Sequence, residues 1–230
     1  MKYYIGEDKQ ELSLKKYLSF GEEGNVYIEG NEAVKIYYDN WESSKHSYLT
    51  EEEARKMTKI KTNQILLPRR LVYDEKDNFC GYSTELIRTF YPKCEGRKNA
   101  QKERFLIDNM FLCYLKNKIK RVYAEMRFLS HKGIILEDFF YPSTNYIFNG
   151  EFYLIDPGCY AFSTESVEKT VERNTKTLNS FFASNCLLLG EDFLERINTS
   201  SNPSYSMYDF IEENERPLEK TIEFRNRMKK

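Results

Sequence analysis

Residues 19–38 read Ser19-Phe20-Gly21-Glu22-Glu23-Gly24-Asn25-Val26-Tyr27-Ile28-Glu29-Gly30-Asn31-Glu32-Ala33-Val34-Lys35-Ile36-Tyr37-Tyr38. The apolar residues at 26–28 and 33–38 predict two strands, and the four residues between them predict a tight turn. Residues 14–20 predict a further strand that leads into the glycine turn at 21–24. This stretch therefore predicts a three-stranded meander over residues 13–38.

The sequence after the meander continues the pattern of a small mixed lobe. Many charged residues with Leu49, Met57 and Ile60 among them predict a helix over residues 43–61. Apolar runs at 65–68, 71–73 and 79–82 predict strands, and a turn at 74–78 joins the last two. Residues 1–87 therefore predict a mostly antiparallel α+β lobe, in the order β-β-β-α-β-β.

Beyond Ile87 the pattern becomes helical. Apolar residues recur at helical spacing between residues 101 and 130, Tyr114 among them, and Gly133 is in the usual position after a helix end. Short strands are predicted at 146–148 and 152–155 around an Asn149-Gly150 turn. Residues 166–230 predict two or three helices with a polar break at 198–203. The sequence therefore divides into residues 1–87 and 88–230.

The composition limits the classes of protein to which the chain can belong. A hydrophobic content of 40% with 15% aromatic residues suits a globular protein, and a formal net charge of -1 gives no electrostatic case for nucleic acid or membrane as a partner. Five scattered cysteines and an N-terminus without an apolar leader predict a reduced, cytoplasmic protein. With only two histidines, zinc sites and histidine-based triads are poor candidates.

Lys35 is the first candidate functional residue. It lies nine residues after Val26, between Val34 and Ile36 on a predicted strand, and close to the glycine turn. Glycines let backbone N–H groups approach a phosphate without a Cβ in the way. The lysine is therefore a candidate to bind the α- and β-phosphates of a nucleotide. The alternative is ordinary strand alternation, with the lysine pointing to solvent.

A buried lysine needs a carboxylate partner, and the predicted helix offers Glu51-Glu52-Glu53. Glu53 has Met57 four residues later and thus lies beside the apolar face, which favours it as the partner of Lys35, with Glu52 next. Thr50 and Glu53 also have the spacing of a capping box, in which Glu53 would act locally at the helix start. Both interpretations of Glu53 are open on the sequence alone.

The segment from Gly133 to Ile147 completes the set of polar residues. It follows a long helix, contains Asp138 and Asn145, and leads through the predicted hairpin to Asp156-Pro157-Gly158. The order of glycine turn, strand lysine, acidic loop with an asparagine, and Asp-x-Gly resembles the protein-kinase-like superfamily, in particular its compact and divergent bacterial members. The resemblance covers roughly residues 14–160, and the remainder matches only as helical.

The resemblance implies an α+β, bilobal protein-kinase-like fold. The N-terminal lobe (1–87) would hold a small antiparallel β-sheet with one helix, and the C-terminal lobe (88–230) would be reduced and mainly helical. ATP and Mg²⁺ are the implied cofactors. The implied roles are a phosphate loop at Gly21, Gly24 and Val26, an ion pair of Lys35 with Glu53, a gatekeeper at Thr84, an adenine-binding hinge from Glu85 to Ile87, a catalytic Asp138 that orients the acceptor, and magnesium ligands at Asn145 and Asp156.

Four departures from the family pattern limit what the resemblance implies. Leu136-Glu137 stand where the family has His-Arg, and Asp138 lies seven residues before Asn145 rather than five. The loop has no lysine, which removes a positive charge near the γ-phosphate, and no Ala-Pro-Glu follows Gly158. The missing arginine and Ala-Pro-Glu argue against regulated protein phosphorylation, but they do not bear on ATP binding.

The residues leave three hypotheses open. The first is a small ATP-dependent phosphotransferase with an unidentified hydroxyl acceptor, which could be a protein, a small molecule or a sugar. The second is a pseudokinase that acts as a nucleotide-binding or interaction module, favoured by the loop insertion, the missing lysine and the aromatic run Phe139 to Tyr141. The third is an unrelated α+β domain with chance motifs. The test of the second is whether Asp138, Asn145 and Asp156 converge on one metal position, and the test of the third is whether the first five strands form one sheet.

Overall fold

The structure is a computed structural model that describes residues 2–21, 23–38, 49–88, 112–136, 146–185, 193, 195–197 and 199–220. The chain is an α+β protein that divides into two compact units. The first unit comprises Met1–Arg88 together with Ile155–Tyr160, and the second comprises Thr89–Leu154 together with Ala161–Lys230. The segment that contains Asp156 thus groups with the sheet of the first unit.

Within the described residues, seven strands of the first unit form one antiparallel sheet in the order β2-β1-β6-β7-β5-β4-β3. The strands are β1 (Tyr3–Ile5), β2 (Gln10–Glu11), β3 (Lys16–Phe20), β4 (Gly24–Glu29), β5 (Glu32–Tyr37), β6 (Arg70–Asp74) and β7 (Phe79–Glu85). The predicted meander over 13–38 and the predicted hairpin over 71–82 are both confirmed. Strands β1 and β2 were not predicted, because segments of three and two residues are too short to show alternation.

The two faces of the sheet have different character. Val34 and Ile36 of β5 pack with Ile5, Leu12 and Val72 into an apolar core. Successive side chains of a strand point to opposite faces, so Lys35 of β5 lies on the other face. The register places Val26 and Tyr82 directly opposite Lys35 on the two neighbouring strands. Lys35 is therefore not the solvent-facing lysine that alternation alone permitted.

Helix α1 (Glu51–Met57) is shorter than the helix predicted over residues 43–61. Thr50 is its N-cap, and Thr58 is its C-cap, while residues 43–48 lie outside the described part of the chain. The capping box of Thr50 with Glu53 starts the helix at Glu51. Its buried residues are Ala54 and Met57, and the helix packs against β6.

The predicted strand at residues 65–68 is wrong. Only Ile65 forms an isolated bridge, and residues 66–69 have no regular structure. Ile65, Leu66 and Leu67 are all buried, so the run is apolar because it fills the core and not because it faces a partner strand. Pro68 has no N–H to donate to a ladder, which disfavours a strand at this position.

The second unit contains helices and short strands. Its described elements are α2 (Leu112–His131), β8 (Ile134–Ile135), β9 (Tyr146–Phe148), β10 (Phe152–Leu154), β11 (Ala161–Phe162), α3 (Val167–Asn185) and α4 (Met207–Glu213), with β9 paired to β10 and β8 paired to β11. Among the described residues, no helix is both long enough and apolar enough to span a membrane.

The predicted end of the long helix and the hairpin that follows are confirmed. Gly133 adopts the left-handed conformation (φ 75°), and its N–H donates to the Ser130 carbonyl at 2.9 Å. The hairpin of β9 and β10 turns at residues 149–151, with Gly150 at φ 95°. Tyr114 was counted in the apolar stripe but is exposed, and residues 101–111 lie outside the described part.

Asn174 of α3 forms the centre of a buried set of hydrogen bonds that we call the amide network. Its Nδ2 donates to Ser130 Oγ (2.9 Å) and to the Ile134 carbonyl (2.8 Å), and its Oδ1 accepts from the Leu136 N–H (2.8 Å). Asn174 is completely buried. The network therefore fixes the backbone at the point where the chain enters the predicted catalytic loop.

Candidate functional site

Four side chains of the first unit form a cluster on the sheet face that carries Lys35. The Lys35 ammonium donates to Asp156 Oδ1 (2.9 Å) and Oδ2 (3.2 Å) and also pairs with Glu23. The Tyr82 hydroxyl donates to Asp156 Oδ1 (3.1 Å). We call Glu23, Lys35, Tyr82 and Asp156 the charged cluster. It joins the predicted strand lysine to the predicted metal ligand, which are 121 residues apart in the sequence.

The local structure around Asp156 explains how this residue reaches the sheet. Asp156 is the N-cap of a short 3-10 helix, Pro157–Cys159, and its Oδ1 accepts from the Gly158 N–H at 3.1 Å. The Gly158 carbonyl in turn accepts from the Leu49 N–H, just before α1, at 3.0 Å. A Cβ at Gly158 would lie 2.7 Å from Glu23 Oε2 and 3.0 Å from Lys35 Nζ. A side chain at position 158 would therefore displace the charged groups of the cluster.

The charged cluster is mostly shielded from water. Lys35 is 7% exposed, while the side chains of Glu23 and Asp156 are 13% and 36% exposed. Burial by itself lowers the pKa of Lys35, but the carboxylates of Asp156 and Glu23 outweigh burial and raise that pKa above its ordinary value. Lys35 therefore stays protonated at neutral pH.

The pKa of Asp156 is shifted in the opposite direction. Burial raises this pKa, but the Lys35 ammonium and the hydrogen bonds from Lys35, Gly158 and Tyr82 outweigh burial and lower the pKa below its ordinary value. Burial first, and then the Asp156 charge, raise the pKa of the Tyr82 hydroxyl well above its ordinary value. At neutral pH the cluster thus contains an ammonium, an ionised Asp156 and a neutral phenol.

The two glycines of the predicted phosphate loop differ in how much space the surrounding structure leaves for a Cβ. A Cβ at Gly24 would overlap the Ile36 carbonyl of β5, so the sheet itself requires glycine there. A Cβ at Gly21 would meet no heavy atom of the described part of the chain within 4 Å. Gly21 also lies outside the left-handed region that favours glycine. The fold therefore explains Gly24 but gives no packing reason for glycine at position 21.

The predicted nucleotide-binding residues of the sheet differ in whether they lie on the face that carries Lys35. Val26 lies directly across from Lys35, and Thr84, which is buried, pairs with Ala33. By alternation Thr84 shares the face of Tyr82 and Lys35, whereas Glu85 lies on the opposite face and pairs with Arg69. Ile87 follows β7 within the first unit.

The predicted ion pair of Lys35 with Glu53, or with Glu52, is not what the structure holds. Glu53 Oε2 accepts from the Thr50 N–H (3.1 Å) and hydroxyl (2.7 Å), and Glu52 pairs with Lys56 at 2.6 Å. The carboxylates at Lys35 are Glu23 and Asp156 instead. The capping interpretation of Glu53 is therefore the correct one in this conformation, because the Thr50 spacing lets Glu53 satisfy the helix start.

Sequence reasoning missed Glu23 and Tyr82. Glu23 lies within the glycine turn that was singled out, but periodicity does not indicate where the side chain of a turn residue points. Tyr82 was assigned only to a strand, although the register that brings it opposite Lys35 makes it a neighbour of any group on that face. A buried lysine needs nearby carboxylates. If this rule had been applied to the acidic residues of the glycine turn, it would have indicated Glu23 as a candidate partner of Lys35.

Asp138 and Asn145 lie outside the described residues, so the predicted convergence with Asp156 is untested. The chain is described up to Leu136, where the amide network holds it, and again from Tyr146, where β9 begins. The described ranges contain no group of three or more His, Cys, Asp or Glu side chains that could hold a metal ion. The carboxylate of Asp156 and the amide of Asn145 are nevertheless the oxygen ligands that Mg²⁺ prefers.

The second unit contains an open cavity of about 650 Å³. Its lining includes Arg196, Phe210, Glu213 and Leu218. Arg196 lies 3.7 Å from Glu213, which also accepts from the Tyr205 hydroxyl at 2.7 Å. The lining also includes Glu195, and the Arg196 and Glu213 side chains are about half exposed, unlike Lys35 of the charged cluster.

Comparison with known proteins matches the chain to no family model and to no curated protein. The geometry of the charged cluster and the order of the motifs are therefore what indicate a function for this protein.

Proposed function

We propose that the protein is a small ATP-dependent phosphotransferase with a bilobal protein-kinase-like fold. It would transfer the γ-phosphate of Mg-ATP to a hydroxyl acceptor, which is either a protein or a small molecule. The observation that carries this proposal is the contact between Lys35 and Asp156 at 2.9 Å, beside the glycine turn. Two residues chosen for a common role, far apart in the sequence, are neighbours in the folded first unit.

The residues of the chain are suited to bind Mg-ATP, the ligand that the proposal requires. ATP supplies the phosphoryl group, and Mg²⁺ neutralises charge on its phosphates. The Lys35 ammonium would bind phosphate oxygens, and Asp156 would be a magnesium ligand together with Asn145. Asp156 is suited to this role because its side chain is ionised and still partly accessible. Asp138 would orient the acceptor hydroxyl and accept its proton.

The sheet also supports the proposal. The face that carries Lys35 presents Val26, Ala33 and Thr84 around it, a small apolar and polar surface of the kind that lines an adenine site. The three strands of the predicted meander and the two of the predicted hairpin, β3 to β7, lie in one antiparallel sheet, and α1 packs against β6 of that sheet. This arrangement disfavours an unrelated domain with chance motifs.

A second candidate is a pseudokinase that binds nucleotide, or another protein, without turnover. The observation that favours it is that Lys35 is held by two carboxylates of its own chain and Glu53 is committed to the helix cap. The loop between Asp138 and Asn145, which lacks lysine, points in the same direction. The two candidates differ in turnover, and only the first requires that nucleotide binds.

The first experiment is a thermal melt with and without saturating Mg-ATP, on the wild type and on Asp156→Asn. A ligand that binds only the folded state stabilises it by about 2.7 kcal/mol at a hundred times its Kd, which amounts to several degrees for a chain of this size. We expect a shift that requires Mg²⁺ in the wild type and is lost in Asp156→Asn. Asp77→Asn is the matched control, because Asp77 is an exposed residue of the β6–β7 turn that pairs with Lys9.

Turnover is measured separately, as release of ADP with water as the acceptor. Measurable ADP release that Asp138→Asn abolishes, with the Mg-ATP melting shift intact, supports the phosphotransferase. A melting shift without ADP release in the wild type supports the pseudokinase. The absence of any Mg-ATP shift in the wild type would falsify the phosphotransferase and leave only a module that binds something other than nucleotide.

A further inference from the structure

The two carboxylate oxygens of Asp156 are held differently in the charged cluster. Oδ1 accepts from the Lys35 ammonium (2.9 Å), the Tyr82 hydroxyl (3.1 Å) and the Gly158 N–H (3.1 Å). Within the described part of the chain, Oδ2 accepts from Lys35 alone, at 3.2 Å. Three donors therefore anchor Oδ1, whereas Oδ2 has one longer contact.

Tyr82 donates to Asp156 from a fixed position in the sheet. Its strand, β7, lies between β5 and β6, and the register places Tyr82 between Lys35 on one side and Leu71 on the other. The side chain is only 2% exposed, and its ring packs edge-on against the ring of Tyr37, with 6.1 Å between the centroids. Because packing already fixes the ring, the hydroxyl is directed at Asp156 with little further loss of conformational entropy.

The donors of Asp156 would not all keep their roles once a nucleotide binds. In the proposed function Lys35 donates to phosphate oxygens, so its hydrogen bonds are shared with the ligand. The donors that then remain with Oδ1 are the Gly158 N–H, two residues along the chain, and the Tyr82 hydroxyl. Carboxylates that ligate a metal are usually oriented by hydrogen bonds from surrounding groups. Tyr82 is the donor that ties this carboxylate to the centre of the sheet.

We propose that Tyr82 is a positioning residue for the magnesium site: its hydroxyl holds Oδ1 of Asp156 and leaves Oδ2 as the oxygen for the cation. The inference rests on the function proposed above and adds to it a residue to which motif order gave no role. It requires that loss of the hydroxyl weakens binding of Mg-ATP, whereas binding of phosphate by Lys35 without a metal is unchanged.

The test measures the Kd of ATP with Mg²⁺ and of ATP with EDTA by isothermal titration calorimetry on the full chain, at ATP concentrations high enough for the weaker complex. Tyr82→Phe removes the hydroxyl and keeps the ring. We expect the Kd of Mg-ATP to rise about tenfold or more, while the Kd of metal-free ATP stays that of the wild type. Tyr73→Phe is the matched control, because it removes a hydroxyl of the neighbouring strand that donates to Glu51 (2.9 Å), outside the charged cluster.

Thermal melts without ligand show whether each variant is folded. An unchanged Kd of Mg-ATP in Tyr82→Phe overturns the positioning role and leaves the proposed function in place. An equal loss of affinity for both forms of ATP also overturns it, because the hydroxyl then supports the site as a whole, and so does a Tyr82→Phe chain that does not fold. If the wild type binds neither form of ATP, the proposed function fails together with this inference.

Discussion

The charged cluster of the first unit and the amide network of the second are both buried polar groups, but the cluster is built from charged side chains and the network from neutral ones. Asn174 makes three hydrogen bonds of 2.8–2.9 Å with neutral groups of the surrounding backbone and Ser130. Lys35, in contrast, pairs with the two carboxylates of Glu23 and Asp156. Saturated neutral networks stabilise a single backbone arrangement, whereas clusters of buried charges with shifted pKa values are typical of sites that bind something.

The charged cluster and the amide network also differ in the free energy that it costs to bury them. Taking an ammonium and two carboxylates out of water costs several kcal/mol per ion, which their mutual attraction offsets only in part. A neutral amide with all its hydrogen bonds formed costs far less to bury. We therefore expect the charged cluster to be replaceable without loss of stability, and the amide network not to be.

The largest effect is expected from Lys35→Met. It removes the only cation of the charged cluster and leaves the carboxylates of Glu23 and Asp156 facing each other. Removing one partner of a buried ion pair typically costs about 3–5 kcal/mol. Urea unfolding followed by circular dichroism measures the loss.

The variant that sharpens this prediction is Lys35→Met combined with Glu23→Gln and Asp156→Asn. It removes all three charges while keeping the side-chain sizes close to the original, and it should recover the stability of the wild type to within about 1 kcal/mol. A triple variant as unstable as Lys35→Met alone would show that the charges hold the first unit together. The contrast with the amide network would then be lost.

A smaller effect is expected from Asn174→Ala. It leaves the Leu136 N–H and the Ile134 carbonyl without their side-chain partner in a buried position, which costs about 2–3 kcal/mol. Thr177→Ala, at a half-buried position of α3, is the matched control, because the Thr177 hydroxyl donates to the Arg173 carbonyl within the same helix. The same urea titration tests both variants, and an equal loss in the two would contradict a special role of the amide network.

The fold of the first unit was largely predictable from the sequence. Strands β3 to β7 contain apolar residues that alternate or run between recognisable turns, such as Gly30 at φ 58° between β4 and β5. Strand β1 was not predictable, because it joins the sheet through β6, which is distant in the sequence. The apolar run at 65–68 was misassigned because core-filling segments and strands look alike without a partner strand.

The candidate site was predictable only in part. Lys35 and Asp156 follow from motif order, because each is tied to a turn or strand that the local sequence indicates. Glu23 and Tyr82 depend on tertiary geometry: the direction of a turn side chain and the register between β5 and β7. The choice of Glu53 as the partner of Lys35 failed because a local capping interaction with Thr50 competed with a long-range ion pair.

The smallest effects are expected from alanine substitutions at the two glycines of the turn, Gly21 and Gly24. These two variants distinguish an effect on stability from an effect on nucleotide binding. Gly24→Ala forces β4 away from the Ile36 carbonyl of β5 and should cost about 1–3 kcal/mol. Gly21→Ala places its methyl where no described residue has a heavy atom within 4 Å, and it should change stability by less than about 0.5 kcal/mol. If Gly21 is glycine because a phosphate approaches the backbone, this variant should still bind Mg-ATP about tenfold more weakly in calorimetry. Full Mg-ATP affinity in Gly21→Ala would mean that the turn shapes the sheet and contributes Glu23, but does not itself contact the nucleotide.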